Sequence, residues 1–392
     1  MHFWIFVFAL SCFIVFYNYI GYALIAVILT WFNRRKAPEH KDFLPTVSFI
    51  VAAFNEEDCI AKKIDDSFAQ NYPAGKIEYI FITDGSTDKT AEIISSHRQI
   101  QLLHNDERHG KSAALNRAVA VAKNDILIFS DANTFLNTDA TRNIARHYSD
   151  ERVGGVAGEK KVVSPAGLTS EVGAGEGLYW KYESFLKKTD SAFYTVVGAA
   201  GELFSLRRAL FEPVDNSVVL DDFVISLKVA GKGFRILYEP EAYAMELPSF
   251  SLPDERKRKI RIAAGGFQAM VMLSPLLRFW RHPRLSFLYI SHRVLRWTLS
   301  PLCLILAFVT NAVLVAITDN LLLQAFFFMQ LAFYGAALLG SNLTIGNKVR
   351  LLKVAYYFVF MNMSVILGFV RYLKGTQPAA WEKSKRADLQ SH

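Results

Sequence analysis

Three apolar, strand-like runs in this chain each end in an aspartate set among small or polar residues. Ile77-Glu78-Tyr79-Ile80-Phe81-Ile82 leads into Thr83-Asp84-Gly85-Ser86-Thr87-Asp88. Ile126-Leu127-Ile128-Phe129 leads into Ser130-Asp131-Ala132-Asn133, and Val218-Val219-Leu220 into Asp221-Asp222. In an open α/β sheet, ligands gather beyond the carboxyl ends of the strands. Acids delivered to that edge are placed to hold a metal, a ribose or a reacting hydroxyl.

The ends of the chain constrain it differently. Residues 3–32 are almost continuously apolar and are followed at once by Asn33-Arg34-Arg35-Lys36. The run exceeds the core of a signal peptide and is long enough to span a bilayer. The basic cluster puts its carboxyl side in the cytoplasm. Three further spans are expected near 294–317, 320–341 and 352–372, with Lys348, Arg350 and Lys353 between the last two. The tail conflicts with this count. Three spans place it outside, whereas Arg371, Lys374, Lys383, Lys385 and Arg386 argue for inside, so a re-entrant or interfacial segment stays open.

Composition agrees with a mixed protein. At 52% hydrophobic and 20% charged, with a mean hydropathy of +0.19, the chain is too apolar for a soluble enzyme and too charged for a pure membrane bundle. The formal charge of +8 comes from Lys and Arg beside apolar segments, such as Arg256-Lys257-Arg258-Lys259. That pattern suits anionic lipid headgroups or a phosphorylated substrate better than nucleic acid. Cys12, Cys59 and Cys303 form no pair or ligand spacing.

Between the ends, strands alternate with helices. Val47–Ala53 reads as a buried strand, Asn55-Glu56-Glu57-Asp58 as capping and first-turn acids, Gln101–His104 as a weak strand and Lys111–Lys123 as an Ala-rich helix starting after Gly110. A helix is expected from about Asp88, another over Gly173–Lys188, and a short approach with a helix over Val218–Gly231. The pattern predicts an α/β fold with a mostly parallel, Rossmann-like sheet. The expected layout is an anchor over 1–33, a catalytic domain over 45–265, a segment over 266–290, helices over 291–374 and a basic tail over 375–392. The 266–290 segment, carrying Phe279, Trp280 and several basic residues, reads as an interfacial helix, or else as a linker packed on the catalytic domain.

Each motif has a functional and a plain reading. Asp84 can accept a hydrogen bond from a nucleobase or ribose, or simply close a βα turn capped by Asp88. Ala52 and Ala53 are small enough to let a flat ring approach the strand end. Lys111 at a helix start suits a phosphate, or is a surface lysine. Two adjacent acids, Asp221 and Asp222, can also cap the helix that follows.

Together these residues resemble the nucleotide-sugar site of family 2 glycosyltransferases, which have the GT-A fold, over most of residues 45–265. Val51-Ala52-Ala53-Phe54-Asn55-Glu56-Glu57 and Asp84 are similar to the family's nucleotide pocket, and Gly110-Lys111-Ser112-Ala113-Ala114-Leu115-Asn116 to its Gly-Lys-x-x-Ala-Leu-Asn block. Asp131-Ala132-Asn133 resembles its metal-binding Asp-x-Asp with asparagine in third place, implying Mg2+ or Mn2+ on Asp131 and Asn133. The stretch from Val197 to Arg208 resembles the acceptor segment, with Gly201 and Asp221 on the acceptor side. Asp221-Asp222 resembles the family's Glu-Asp pair, which makes Asp222 the catalytic base. Arg258-Lys259-Ile260-Arg261-Ile262 sits where processive members carry Arg-x-x-Arg-Trp; both arginines are kept and Ile262 replaces the tryptophan.

The resemblance implies a membrane-bound, inverting hexosyl- or N-acetylhexosaminyltransferase. Ala53, Asn55, Glu56, Asp84, Lys111, Asp131, Arg258 and Arg261 would bind the donor, a UDP-sugar. Partners would be membrane lipids, a glycan or lipid-linked acceptor and export proteins, without nucleic acid; the catalytic domain would be cytoplasmic in a multi-pass membrane protein. Two alternatives stay open: single-sugar transfer to a lipid, and a non-catalytic subunit that binds nucleotide-sugar or helps export glycan.

Overall fold

The computed structural model describes residues 1–32, 43–163, 173–247, 252–342 and 349–375. The basic cluster 33–36, Lys348 and the basic tail from 376 on lie outside the described residues.

The strands are β1 Val47–Ala53, β2 Ile77–Asp84, β3 Ile100–Asn105, β4 Ile126–Asp131, β5 Phe135–Leu136, β6 Val153–Val162, β7 Leu203–Arg207 and β8 Arg235–Glu246. They form one sheet in the order β3-β2-β1-β4-β7-β6-β8-β5. β1 runs parallel to β2 and β4, β2 to β3, and β6 to β8. β7 is antiparallel to β4 and β6, and β5 to β8. The chain leaves β1 toward β2 and β3, then returns to β4 on the other side. That reversal opens a crevice at the carboxyl ends of β1 and β4. β1 is apolar apart from Ser48 because it is covered on both faces, by two separate hydrophobic clusters. Phe129 of β4 stacks on Phe204 of β7 at 4.7 Å, tying the parallel half of the sheet to the antiparallel half.

Four helices are long and apolar enough to cross a membrane: His2–Phe32, Leu299–Ile317, Leu321–Gly340 and Leu351–Leu373. The first is continuous through a π-helical turn at Tyr17–Gly21. Its first half packs on Leu299–Ile317 through Phe8, Ala307 and Leu314. Its second half belongs to the sheet's core, where Tyr22 and Ala26 are fully buried. Asn18 donates to the Ser291 carbonyl at 2.9 Å and the Tyr22 hydroxyl to Asp190 at 2.5 Å.

The last helix, Arg350–Leu373, lies along the α/β unit. Near its start, Gly340 packs against the Leu352 backbone. Near its end, Phe369 and Tyr372 meet Phe267 of the helix Leu252–Met272 at 4.9 and 6.2 Å. Leu351, Met363, Phe369, Val370 and Leu373 face outward.

Three expectations change. Val218–Leu220 is not a strand: a three-residue run carries no period, and it follows a turn in which the Val218 amide donates to the Asp215 carbonyl. Asp221 and Asp222 therefore sit in the first turn of the helix Asp221–Gly231 rather than on a strand end. The helix expected at Asp88 starts at Thr90, whose amide the Asp88 carboxylate accepts. The segment 266–290 is not one interfacial helix. Leu252–Met272 runs on into it, then a short turn at Ser274–Leu277 and a short helix Pro283–Tyr289 follow, the second begun by its proline. Leu276, Leu285, Leu288 and Tyr289 join the sheet's core, while Phe279 and Trp280 stay exposed.

The close packing of the last helix rests on Gly368. A Cβ there would overlap the Ala263 side chain and come within 2.9 Å of the Ala264 nitrogen and 3.0 Å of the Ile260 oxygen. Gly368→Leu is expected to lower stability by about 1–3 kcal/mol, the usual cost of overpacking. Gly335→Leu, where a Cβ meets nothing within 4 Å, should be silent by the same thermal-unfolding measurement.

Candidate functional site

β1, β2 and β4 end level with one another, because Ala53 pairs with Thr83 and Ala52 with Asp131. The loops beyond those ends carry the residues singled out in the sequence.

Asp84 is buried. One oxygen accepts the His109 amide at 2.8 Å and the Gly110 amide at 2.6 Å; the other accepts from Arg117 at 3.0 Å. Its contacts in this structure hold the 108–110 turn in place. Gly85 lets this happen. It has φ +72°, and a Cβ would come within 3.0 Å of the Arg108 Cα, so the two loops pack backbone to backbone. The next residue after the tethered turn is Lys111, which begins the helix Lys111–Val121.

Ala53 is buried at the end of β1. Asn55, with φ +53°, accepts the Thr87 amide at 2.8 Å, and the amide of buried Glu56 donates to Thr90 at 2.8 Å. These two residues knit the β1 loop to the β2 loop. Arg108 stacks over the Phe54 ring at 3.6 Å on the same edge.

The acids converge next to Gly201. Lys111 Nζ donates to Asp131 Oδ1 at 2.6 Å. A Cβ built on Gly201 would lie 3.1 Å from Lys111 Nζ, 3.4 Å from Asp222 Oδ2 and 3.8 Å from Asp131 Oδ2. Three charged groups from three elements therefore close on that point, with a Cβ there in tight contact with the Lys111 ammonium and in ordinary contact with the two carboxylates. Asp84 is not in this cluster and connects to it through the turn before Lys111.

Electrostatics follow from the crowding. Burial pushes the Asp222 carboxyl up, and the neighbouring Asp221 adds to it, bringing it to about 7. Burial also raises Asp131, against the pull of Lys111. For Lys111 burial works downward, but Asp131, Asp221 and Asp222 outweigh it and hold the ammonium above its ordinary range. Among the described residues, buried Asp221 Oδ2 and Asn133 Oδ1 have no hydrogen-bond partner.

Those orphaned oxygens bear on a cation. No group of three or more His, Cys, Asp or Glu suited to a metal occurs among the described residues. Mg2+ and its analogues usually take one or two protein carboxylates and complete their shell with water and substrate phosphate. Asp131 with the unpartnered Asn133 carbonyl fits that partial donor set. Beneath them, fully buried Lys63 donates to Ser130 at 2.8 Å and to the Thr134 carbonyl at 2.7 Å, bracing the turn.

Behind Asp222 lies a cavity of about 190 Å³ whose lining includes Trp180, Lys187, Asp222, Arg258, Lys259 and Ile262. Arg258 is held on buried Glu255 at 3.0 and 3.2 Å. Arg261 is attracted by the Asp221 and Asp131 carboxylates, although burial and the adjacent Arg258 lower its pKa. Tyr179 and Trp180 line this cavity; Tyr182, on the same helix, turns to a second hollow and Phe185 is exposed.

Sequence reasoning missed Lys160 and Lys187. Lys160 is buried between Glu202 and Glu246, and holds Glu202 well below the usual carboxylate range despite burial. The signal for it was alternation, since Gly158 and Lys160 point inward on β6. Buried Glu183, Lys187 and Asp190 recur at i, i+4 and i+7 of the helix Gly173–Phe193, a charged stripe on an inward face.

Residues 48–214 match the family model described as Glycosyl transferase family 2. The poly-beta-1,6-N-acetyl-D-glucosamine synthase of Staphylococcus aureus (strain MSSA476) is 26% identical over 264 residues, covering 64% of this chain and 63% of the relative. The match thus spans less than two thirds of that relative's length. The enzyme of the same name from Staphylococcus epidermidis is 24% identical over 373 residues, covering 88% of each chain. Among solved structures, the mannosyltransferase PcManGT from Pyrobaculum calidifontis, in complex with GDP-Man and Mn2+, aligns with a TM-score of 0.70 at 22% identity. The alignment covers 94% of this chain and 99% of that one. The fold is GT-A.

Removing the tether at the β2 end tests the local architecture. Asp84→Ala should lower stability by about 2 kcal/mol, since charge-assisted hydrogen bonds from two amides and a guanidinium are lost together. A wild-type melting temperature in that variant would show that the turn holds itself.

Proposed function

We propose that this chain, which carries a family 2 glycosyltransferase domain, is a membrane-bound inverting glycosyltransferase. It moves a sugar from a nucleotide-sugar, a UDP-sugar, to a glycan or lipid-linked acceptor. The meeting of Lys111, Asp131 and Asp222 at Gly201 carries this reading. The proposed layout is an anchor over 1–33, a catalytic unit over 45–265, the 266–290 segment packed on it, helices over 291–374 and a tail from 375.

In the reaction, Asp222 takes the proton of the acceptor hydroxyl as that oxygen attacks the anomeric carbon. The bond from that carbon to the diphosphate oxygen breaks, and its electron pair stays on the departing nucleoside diphosphate. A single base and a single displacement invert the configuration. Gly201 leaves room for the acceptor beside the base, and Asp221 raises that base's proton affinity. Lys111, Arg258 and Arg261 supply positive charge for the diphosphate. Asp131 and Asn133 would hold Mg2+ or Mn2+; the mannosyltransferase PcManGT, of similar fold, is in complex with GDP-Man and Mn2+. A divalent cation bound there would neutralise charge on the leaving group. Ala53, Asn55, Glu56 and Asp84 shape the donor pocket, the last through the turn that places Lys111.

Detergent-purified protein, incubated with a panel of nucleotide-sugars and divalent ions, should release nucleoside diphosphate. Asp222→Asn should abolish transfer and keep nucleotide affinity; full turnover by that variant ends the assignment. The base works only when ionised, and its pKa lies near 7. The acid limb of kcat/KM should therefore rise through about pH 7 and level off above it. A limb near pH 4 would mean that another group is the base.

The same reading extends to the membrane. We place the apolar first part of the helix His2–Phe32, with Leu299–Ile317 and Leu321–Gly340, in the bilayer. The last helix, held by Phe267 at one end and Gly340 at the other, lies at the interface on the catalytic side. The tail then shares the cytoplasm with the catalytic unit, as its basic residues require. A reporter fused after His392 should be active only in its cytoplasmic form. Activity only in its extracytoplasmic form would mean that the last helix spans.

A further inference from the structure

A second hollow, of about 410 Å³, lies between the helices His2–Phe32, Gly173–Phe193 and Arg350–Leu373. Tyr19, Leu178, Tyr182, Val354 and Phe358 are among its walls, so its surface is mostly aromatic and aliphatic. It meets the cavity behind Asp222 at Tyr179, Trp297, Met361 and Val365, which line both. Its helices carry outward apolar residues, among them Ile20, Leu24, Leu351 and Met363.

One strong charge faces this hollow. Arg296 is 8% exposed, and its Nη1 pairs with Glu183. Its Nε and Nη2 are buried and make no hydrogen bond of good geometry among the described residues, although the Tyr182 hydroxyl lies near enough to feel the guanidinium. Rings of Tyr182 and Tyr19 stand 5.5 and 5.9 Å from the guanidinium. Glu183 is shared, because Arg293 also binds it at 2.9 Å and His292 approaches at 3.6 Å. His292 has its own partner in Asp190 at 2.6 Å. Two arginines thus divide one carboxylate, and the Nε–Nη2 edge of Arg296 is left outside that pairing. A buried guanidinium edge left without acceptors is costly, and its two parallel donors match a phosphate.

We propose that this groove seats a phosphate-headed lipid that carries the acceptor. The chain lies along the aromatic and aliphatic walls, the phosphate accepts from Arg296 Nε and Nη2, and the saccharide beyond it enters the cavity toward Asp222. The acceptor role rests on the catalytic reading of Asp222; the lipid site stands on the groove and Arg296. A glycan without an apolar anchor would leave both the greasy walls and the guanidinium edge unused. This selects a lipid-linked acceptor over a free polysaccharide end.

The test uses the full chain in detergent micelles with three probes: phosphatidic acid, the matching diacylglycerol and inorganic phosphate. Phosphatidic acid should bind saturably, and the other two at least about tenfold more weakly, the worth of a charged hydrogen-bonded contact. Arg296→Gln should remove most of the preference for phosphatidic acid over diacylglycerol. Since that variant also leaves Glu183 short of a partner, Leu178→Trp provides a second probe. Leu178 is 52% exposed on the groove wall, so a larger ring there fills the groove without entering the core. It should weaken phosphatidic acid binding while the protein stays monodisperse.

Equal binding of phosphatidic acid and diacylglycerol, or undiminished binding in both variants, overturns the lipid site. So does inorganic phosphate binding as tightly as the lipid. Nucleoside diphosphate release is measured on the same preparation. Lipid binding without donor turnover overturns the transferase reading and keeps a lipid site; donor turnover without lipid binding overturns the lipid inference alone.

Discussion

The ion pair between Lys111 and Asp131 makes the rest of the site possible. Asp131, Asp221 and Asp222 come from a strand end and a helix start, and none is well exposed to water. Like charges brought together away from solvent raise each other's proton affinity. One ammonium at 2.6 Å offsets part of that repulsion. It comes from the first residue of a helix, where the free amides add positive potential. That lysine is in turn held by Asp84 through the 108–110 turn. The acids are thus arranged in sequence: one sets a turn, the turn sets the cation, and the cation permits the other acids to meet.

The catalytic unit and the apolar helices form one body. The helix His2–Phe32 divides its length between an apolar bundle and the core under the sheet, with the π-helical turn where the two parts join. Asp190, Glu183 and His292 sit at that junction and are fully or nearly buried. Buried charges of this kind contribute little to stability over apolar packing, but removing one partner is expensive. The network therefore fixes the position of the anchor relative to the helix Gly173–Phe193. Arg293, one of its members, also lines the cavity behind Asp222.

Much of the sheet was legible because β1, β2 and β4 are apolar runs that end in polar turns, and a parallel strand covered on both faces has to read that way. The acids at those ends were legible by position. Their contacts were not. Nothing local distinguishes Asp84, which accepts from two amides and a guanidinium, from Asp131, which faces Lys111; the difference comes from a turn 25 residues away in the chain. Val218–Leu220 misled because three β-branched and aliphatic residues suit a strand and an extended loop equally. The segment 266–290 misled because its exposed Phe279 and Trp280 suggested a membrane face, while Leu273, Leu276, Leu285, Leu288 and Tyr289 pack inward. Lys63, Lys160 and Lys187 escaped notice because lysine is seldom fully buried, so a single sequence treats it as surface.

Ile262 shows how a substitution can be read from its surroundings. It lines the cavity behind Asp222, where a tryptophan would present a flat platform to a sugar. Trp180 lines the same cavity from another helix, with Lys259 5.5 Å from its ring and Lys160 4.9 Å from it. An aromatic ring is therefore present in this cavity, but it comes from the helix that also walls the second hollow through Leu178 and Tyr182. Residues on opposite faces of one helix cannot be repositioned independently. An aromatic on this helix ties the geometry of this cavity to that of the groove behind it. A tryptophan at position 262 would have tied it to the arginines instead.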